Sequence, residues 1–238
     1  DWARKTLFAC GGAMAMDAAI YEELNGFDEE FFAYYEDVDL GWRTWIAGHE
    51  VIYTPKAVCY HHHSSTSKRL PPEMVRLLQV RNPLLVCFKN YGDEAFGKAF
   101  PALLALAVRR MFVCGGIEDD TPFRIERAQA DSTGPVRKMW ERARGGAEST
   151  YPLTRIATAD LIGLNDLLGD WDHWMERRRE VQATRERSDE EIFRLFLKPA
   201  WCVEDEAGYK ELHEGVLRDL GLAELFDGLT DAGPEPHR

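Results

Sequence analysis

Residues 31–51, FFAYYEDVDLGWRTWIAGHEV, place Glu36, Asp37 and Asp39 directly behind four aromatic rings and then run into an amphipathic helical pattern. A helix start needs one good cap, and its dipole favours each acid of the first turn by only about 0.3–1 kcal/mol. Asp39 is accounted for by that dipole and by Arg43 one turn later. Glu36 and Asp37 are not. Phe31, Phe32, Tyr34 and Tyr35 would desolvate two adjacent charges, which costs free energy unless the site uses them. A carboxylate at a helix tip in an aromatic-walled cleft is suited to accept a proton from a hydroxyl.

The flanking pattern gives this segment its setting. LFACGGAMAM (7–16) is small and apolar with a glycine pair, which predicts a buried strand approached closely by another group. Asp17 caps a short helix through Leu24, and Asn25-Gly26-Phe27 stops it with residues suited to left-handed backbone. Val38, Trp42, Trp45 and Ile46 give residues 37–47 a helical apolar face, ended by Gly48. EVIYT and AVCYH read as two short strands around Pro55, and helices are predicted over 73–90 and 94–113.

Turn clusters mark 115–150 as a linker, which divides the chain into a unit over 1–114 and a helical accessory region over 151–227. The accessory region opens with helix over 153–187, where MERRREVQATRER reads as a solvated face. Ser188 and Glu191 then form a capping box, a further helix spans 207–220, and 228–238 reads as a flexible tail. Trp171, Trp174 and Trp201 are read as core residues ahead of interface anchors.

Composition excludes some classes of function. A formal net charge of −12 argues against binding to nucleic-acid backbones. Five widely spaced cysteines without C-x-x-C pairs fit reduced thiols and a cytoplasmic location rather than a disulfide framework. The apolar run Ala99–Val108 is half of the roughly 20 residues that cross a bilayer, so a buried helix is expected ahead of peripheral contact at a membrane's inner face. The chain starts at Asp1 without Met or a signal pattern and reads as a piece of a longer protein.

The order of motifs, from GGAMAM through NGFDEEFFAYYEDVDLGWR and AGHEVIYTPKAVCYHHHSST to RNPLLVCFKNYG, resembles the family 2 glycosyltransferases. These are inverting enzymes of the GT-A fold, and the likeness is to their rhamnosyltransferase-like and galactofuranosyltransferase-like members. It covers about residues 2–90 and implies an α/β chain, the C-terminal half of a GT-A domain followed by a mainly α-helical region. By resemblance Asp37 is the catalytic base, with Glu36 orienting the acceptor or tuning it. Gly11, Gly12 and Ala13 floor the sugar cleft, Trp42 and Arg81 contact substrate, and His61 helps to hold a divalent ion, Mg²⁺ or Mn²⁺.

The implied reaction is single-displacement transfer of a sugar from a nucleotide-diphosphate donor to a saccharide or lipid-linked hydroxyl acceptor. The family's N-terminal nucleotide-binding half, with its Asp-x-Asp motif, has no counterpart here. Asp37-Val38-Asp39 has those letters on the wrong element. The resemblance therefore implies a chain that relies on that missing half and has little activity alone. On a strand His61 and His63 share one face and His62 the other, so the three do not easily grip one ion. Two rival readings are a noncatalytic scaffolding module and a metal-dependent hydrolase using His61, His63 and Asp37.

Overall fold

The computed structural model describes residues 3–60, 70–115, 154–196 and 198–226. In chain order these form β1 (Arg4–Lys5), α1 (Ala18–Glu23), α2 (Glu36–Ile46), β2 (Ile52–Tyr53), α3 (Pro72–Asn90) and α4 (Asp93–Gly115). There follow α5 (Arg155–Gly169), α6 (Trp171–Ala183), α7 (Asp189–Phe193), α8 (Ala207–Asp219) and α9 (Leu222–Leu225). The strands pair antiparallel, Arg4 opposite Tyr53 and Lys5 opposite Ile52, and form the one sheet among the described residues. The predicted linker, apart from Gly115, and the predicted tail lie outside the described residues.

The helix signals translate directly. Asp17 caps α1 through the Ala19 amide, and Asn25 and Gly26 take positive φ at its end. Gly26 has a second reason to be glycine: a Cβ there would stand 2.6 Å from the Tyr21 ring. Ser188 and Glu191 close the predicted capping box on α7. The single helix expected over 153–187 is instead α5 and α6, broken at Asp170.

The predicted strand over 7–16 is absent. β1 runs out of partners after the Thr6 amide bonds the Val51 carbonyl, and the chain tightens into a 3₁₀ turn at Gly11–Ala13. Its apolar side chains are not held on one face: Leu7 joins the main core, Met14 and Met16 pack beside Leu24 and Leu40, and Phe8 is 37% exposed. The close approach read into the glycine pair is made at Gly41 of α2, where a Cβ would fall 2.4 Å from the Phe8 Cβ. AVCYH likewise forms no strand over its described residues 57–60.

α3 is the hub of the helical assembly. Leu84, Leu85 and Phe88 join Phe31 and Trp42 on one side and Leu164, Leu167, Trp174 and Phe193 on the other in one continuous apolar core. The helices beyond residue 154 therefore share a core with the first half rather than packing as a separate cluster. Trp174 is buried as expected, Trp171 packs edge-on against Phe88, and Trp201 is 61% exposed. Among the described residues no helix is long and apolar enough to cross a membrane.

The run read as a solvated face is partly buried. Arg178 donates to the Phe88 and Tyr91 carbonyls, Gln182 to the Lys89 carbonyl and Arg185 to the Asn90 carbonyl. The last carbonyls of a helix lack intrahelical donors, so α6 and the turn after it direct Arg178, Gln182 and Arg185 inward to cap the end of α3.

Inside this core lies a charged cluster. Lys89, with no exposed side chain, places its ammonium 2.5 Å from Asp28 and 3.1 Å from Asp39, over the ring of Phe31. Asp39 also accepts from Arg43 (2.7 Å) and Asn90 (3.0 Å), and Arg43 donates to the Leu24 and Gly26 carbonyls. Arg177 reaches Asp28 from α6 at 3.1 Å. A buried ion left without its partner is costly, so every member depends on the others.

Lys89→Met is therefore expected to cost ~3–5 kcal/mol in urea unfolding, and a loss near zero would contradict the role given to the cluster. Burial alone would raise the Asp28 carboxyl, but Lys89 and Arg177 outweigh it and hold it at about 2, against an ordinary value of 3.8. The depressed pKa contributes ~2 kcal/mol that is present above about pH 4 and lost as pH falls through about 2. Asp28→Asn should flatten that part of the acid-unfolding profile.

Candidate functional site

α2 begins without a side-chain cap, because its N-cap residue is Tyr35. The approach to it is strained: Phe32, Tyr34 and Tyr35 have φ of 58°, 66° and 68°, a region costly for side chains of this size. The conformation persists because Asn82 of α3, wholly buried, donates to the carbonyls of Phe31 (3.0 Å), Ala33 (2.8 Å) and Tyr34 (2.7 Å). Arg81 completes the clamp, donating to the Glu30 carbonyl at 2.6 Å and to Asn82 Oδ1 at 3.0 Å.

This geometry separates the acids that the sequence crowds together. Asp39 and Asp28 belong to the Lys89 cluster. Asp37 belongs to the surface, where its Oδ2 accepts from the Gly11 amide at 3.0 Å and its Oδ1 from the Val38 amide at 2.9 Å. The two amides fix the carboxylate's orientation, and each oxygen retains a lone pair for a further donor. Glu36 stands beside it with Oε2 buried and without a partner among the described residues. Burial, and secondarily the charge of Asp37, raises the Glu36 carboxyl above its ordinary value.

The remaining expected residues divide. Gly11, Gly12 and Ala13 form the exposed 3₁₀ turn on which Asp37 rests, and Cys59 Sγ stands 3.7 Å from the Gly12 carbonyl. Trp42 is not beside them. At 4% exposure it packs in the core against Tyr91 at a ring separation of 5.1 Å, with Phe193 and Phe196 edge-on, because its helical position places it on the buried face of α2. Arg81 is engaged in holding the loop and lies 3.6 Å from Asp166, so its guanidinium is not free to reach a diphosphate. His61 and His63 lie outside the described residues.

Among the described residues no three or more His, Cys, Asp and Glu side chains converge to hold a metal ion.

The residues that sequence reasoning missed are Asn82, Lys89 and Asn90. Their signal was in RNPLLVCFKN, where an Arg-Asn pair and a Lys-Asn pair recur eight residues apart within an apolar helix. That spacing is a little over two turns, and along it Arg81 and Asn82 meet carbonyls of residues 30–34 while Lys89 and Asn90 meet Asp28 and Asp39.

Comparison with known proteins agrees with the region in which this site lies. Residues 4–65 match the family described as "N-terminal domain of galactosyltransferase". The chain is also similar to N-acetylglucosaminyl-diphospho-decaprenol L-rhamnosyltransferase of Mycobacterium tuberculosis, strain CDC 1551 / Oshkosh, at 38% identity over 61 residues. That match covers 26% of this chain and 20% of the relative. The protein of the same name from strain ATCC 25618 / H37Rv matches equally, at 38% identity over 61 residues. The chain thus aligns with about a fifth of the length of these curated relatives. No solved structure matches it. The family and the relatives together support a glycosyltransferase relationship for this segment.

A buried, unpartnered carboxylate costs stability at neutral pH. The penalty at Glu36 is fully present above its raised pKa and disappears as pH falls through that value towards the ordinary one. Glu36→Gln should raise the thermal midpoint at pH 7, with the difference from wild type shrinking as the solution is acidified. A lower midpoint at neutral pH would show that the Glu36 carboxylate is satisfied and stabilising.

Proposed function

We propose that this chain carries the acceptor-side part of an inverting GT-A glycosyltransferase, resembling family 2, in which Asp37 is the general base. The supporting observation is the Asp37–Gly11 hydrogen bond. It brings the two motifs of the segment similar to glycosyltransferases together at one point, where a carboxylate is oriented by backbone amides and not consumed by a cation. The acids on either side in sequence, Asp28 and Asp39, are spent on the Lys89 cluster.

In the proposed reaction an acceptor hydroxyl approaches Asp37, which takes its proton as the oxygen attacks the anomeric carbon of a nucleotide-diphosphate sugar. The new glycosidic bond forms as the bond to the diphosphate breaks, and the nucleoside diphosphate leaves from the opposite face. General-base assistance of this kind contributes roughly 10²–10⁴ in rate. Glu36, its carboxyl raised by burial, stands beside Asp37 and helps to orient the acceptor hydroxyl. The acceptor is a saccharide or a lipid-linked saccharide, consistent with the name of the curated relatives.

The test is the transfer rate of the full-length protein with a panel of nucleotide-diphosphate sugars. Asp37→Asn is expected to lower kcat by about 10²–10⁴ with donor affinity and thermal midpoint retained. Unchanged turnover would favour a scaffolding role for the acid cluster.

A further inference from the structure

A cavity of about 280 Å³ lies between α3, α4 and α8 and reaches the surface beside Trp201 and Val203, both more than half exposed. Much of its wall is apolar: Leu84 of α3, Ala102 and Leu106 of α4, Val216 and Leu217 of α8, and Phe226. Tyr209 and His213 break that pattern. They line the space one turn apart on α8 and share a face of the helix with Val216 at i, i+4 and i+7.

Both polar side chains are left open. His213 is only 9% exposed, yet its imidazole has no hydrogen-bond partner among the described residues, and neither has the hydroxyl of the buried Tyr209. Buried polar groups are ordinarily paired, and an unpaired one costs stability. Two such groups on one wall of an open cavity suit a ligand with a single polar atom at that end and an apolar body. Water bridging the two would have the minimum of partners it needs, and the apolar remainder would stay dry.

The lining also sets the charge and shape of that ligand. Arg110 is the one permanently charged lining residue, and Glu204 already holds it at 2.5 Å, so no cation is left for an ionic head. Burial lowers the His213 pKa from 6.5, so at neutral pH the ring is uncharged and has one donor and one acceptor nitrogen. An apolar cavity of about 150 Å³ holds benzene, which leaves room here for one ring with a short substituent. Tyr35, Trp201 and Phe226 offer ring faces and edges to pack against it.

We propose that this cavity binds a neutral aromatic alcohol of the phenol class, whose hydroxyl donates to the imidazole of His213 and accepts from the hydroxyl of Tyr209 while its ring lies among the apolar walls. One hydroxyl satisfies both open groups, since a phenol donates one proton and accepts another. Glu36 and Asp37 are not among the lining residues, so the site is independent of the role given to Asp37. Tyr35 belongs to both places, as a wall of the cavity and as the strained N-cap of α2.

Calorimetric titration of the full chain with 4-ethylphenol, its methyl ether 4-ethylanisole and 4-ethylphenyl phosphate tests it without any turnover. 4-Ethylphenol should bind saturably, and the other two at least about fivefold more weakly, the ether because it has no proton for His213 and the phosphate because Glu204 occupies Arg110. His213→Phe should weaken 4-ethylphenol roughly two- to tenfold and leave 4-ethylanisole unchanged, whereas Tyr209→Phe should weaken both. In the unaltered chain the ring ¹⁵N signals of His213, identified by their loss in His213→Phe, should shift as 4-ethylphenol is added. No saturable binding, equal affinity for the phenol and its ether, or binding that leaves the His213 signals in place would overturn the proposal.

Discussion

An ammonium group with no exposed surface, Lys89, held between Asp28 and Asp39, is the constraint on which the rest of the structure depends. Such a charge is tolerated only where its partners are fixed. Here they come from the loop before α2, from α2 itself and, through Arg177, from α6. The cluster thus joins elements distant in sequence at one point beneath the candidate site. It also settles the register of α3, since Lys89 and Asn90 meet the acids only when Asn82, about two turns earlier, lies under the 31–34 carbonyls.

That register has a chemical consequence. Asn82 holds a stretch in which three of four residues, Phe32, Tyr34 and Tyr35, take costly positive φ, and this delivers Tyr35 to the start of α2 with left-handed backbone. No side chain caps the helix, so its acids are available for other tasks. Asp39 points in, to the cation. Asp37 points out, to the Gly11 amide, and Glu36 is left between core and surface with an oxygen unmatched. An unsatisfied polar atom and backbone strain at the same helix start are the compromises expected where function, rather than stability, fixes the arrangement.

The local signals were legible because they act over one or two turns. The caps at Asp17 and Ser188, the left-handed Asn25-Gly26 stop and the Asp39–Arg43 pair all follow from near-neighbour rules. The strand predicted over 7–16 was not, because a strand exists only if another pairs with it, and pairing is a property of the whole sheet. Trp42 was misplaced for a similar reason: aromatic character alone does not say whether a ring faces a sugar or Tyr91. Arg178 showed the limit of charge patterning, since a basic run looks solvated until a helix end in need of donors is packed against it. The site's acids were visible, but their division into structural and available ones depended on a lysine some fifty residues downstream.

Carbon-13 NMR titration of the side-chain carboxyls tests that division most directly. The account predicts an Asp28 resonance that stays ionised down to about pH 2 and a Glu36 resonance that titrates above the ordinary glutamate value. Asp28 titrating near its ordinary 3.8, with Glu36 at or below its ordinary 4.5, would contradict it.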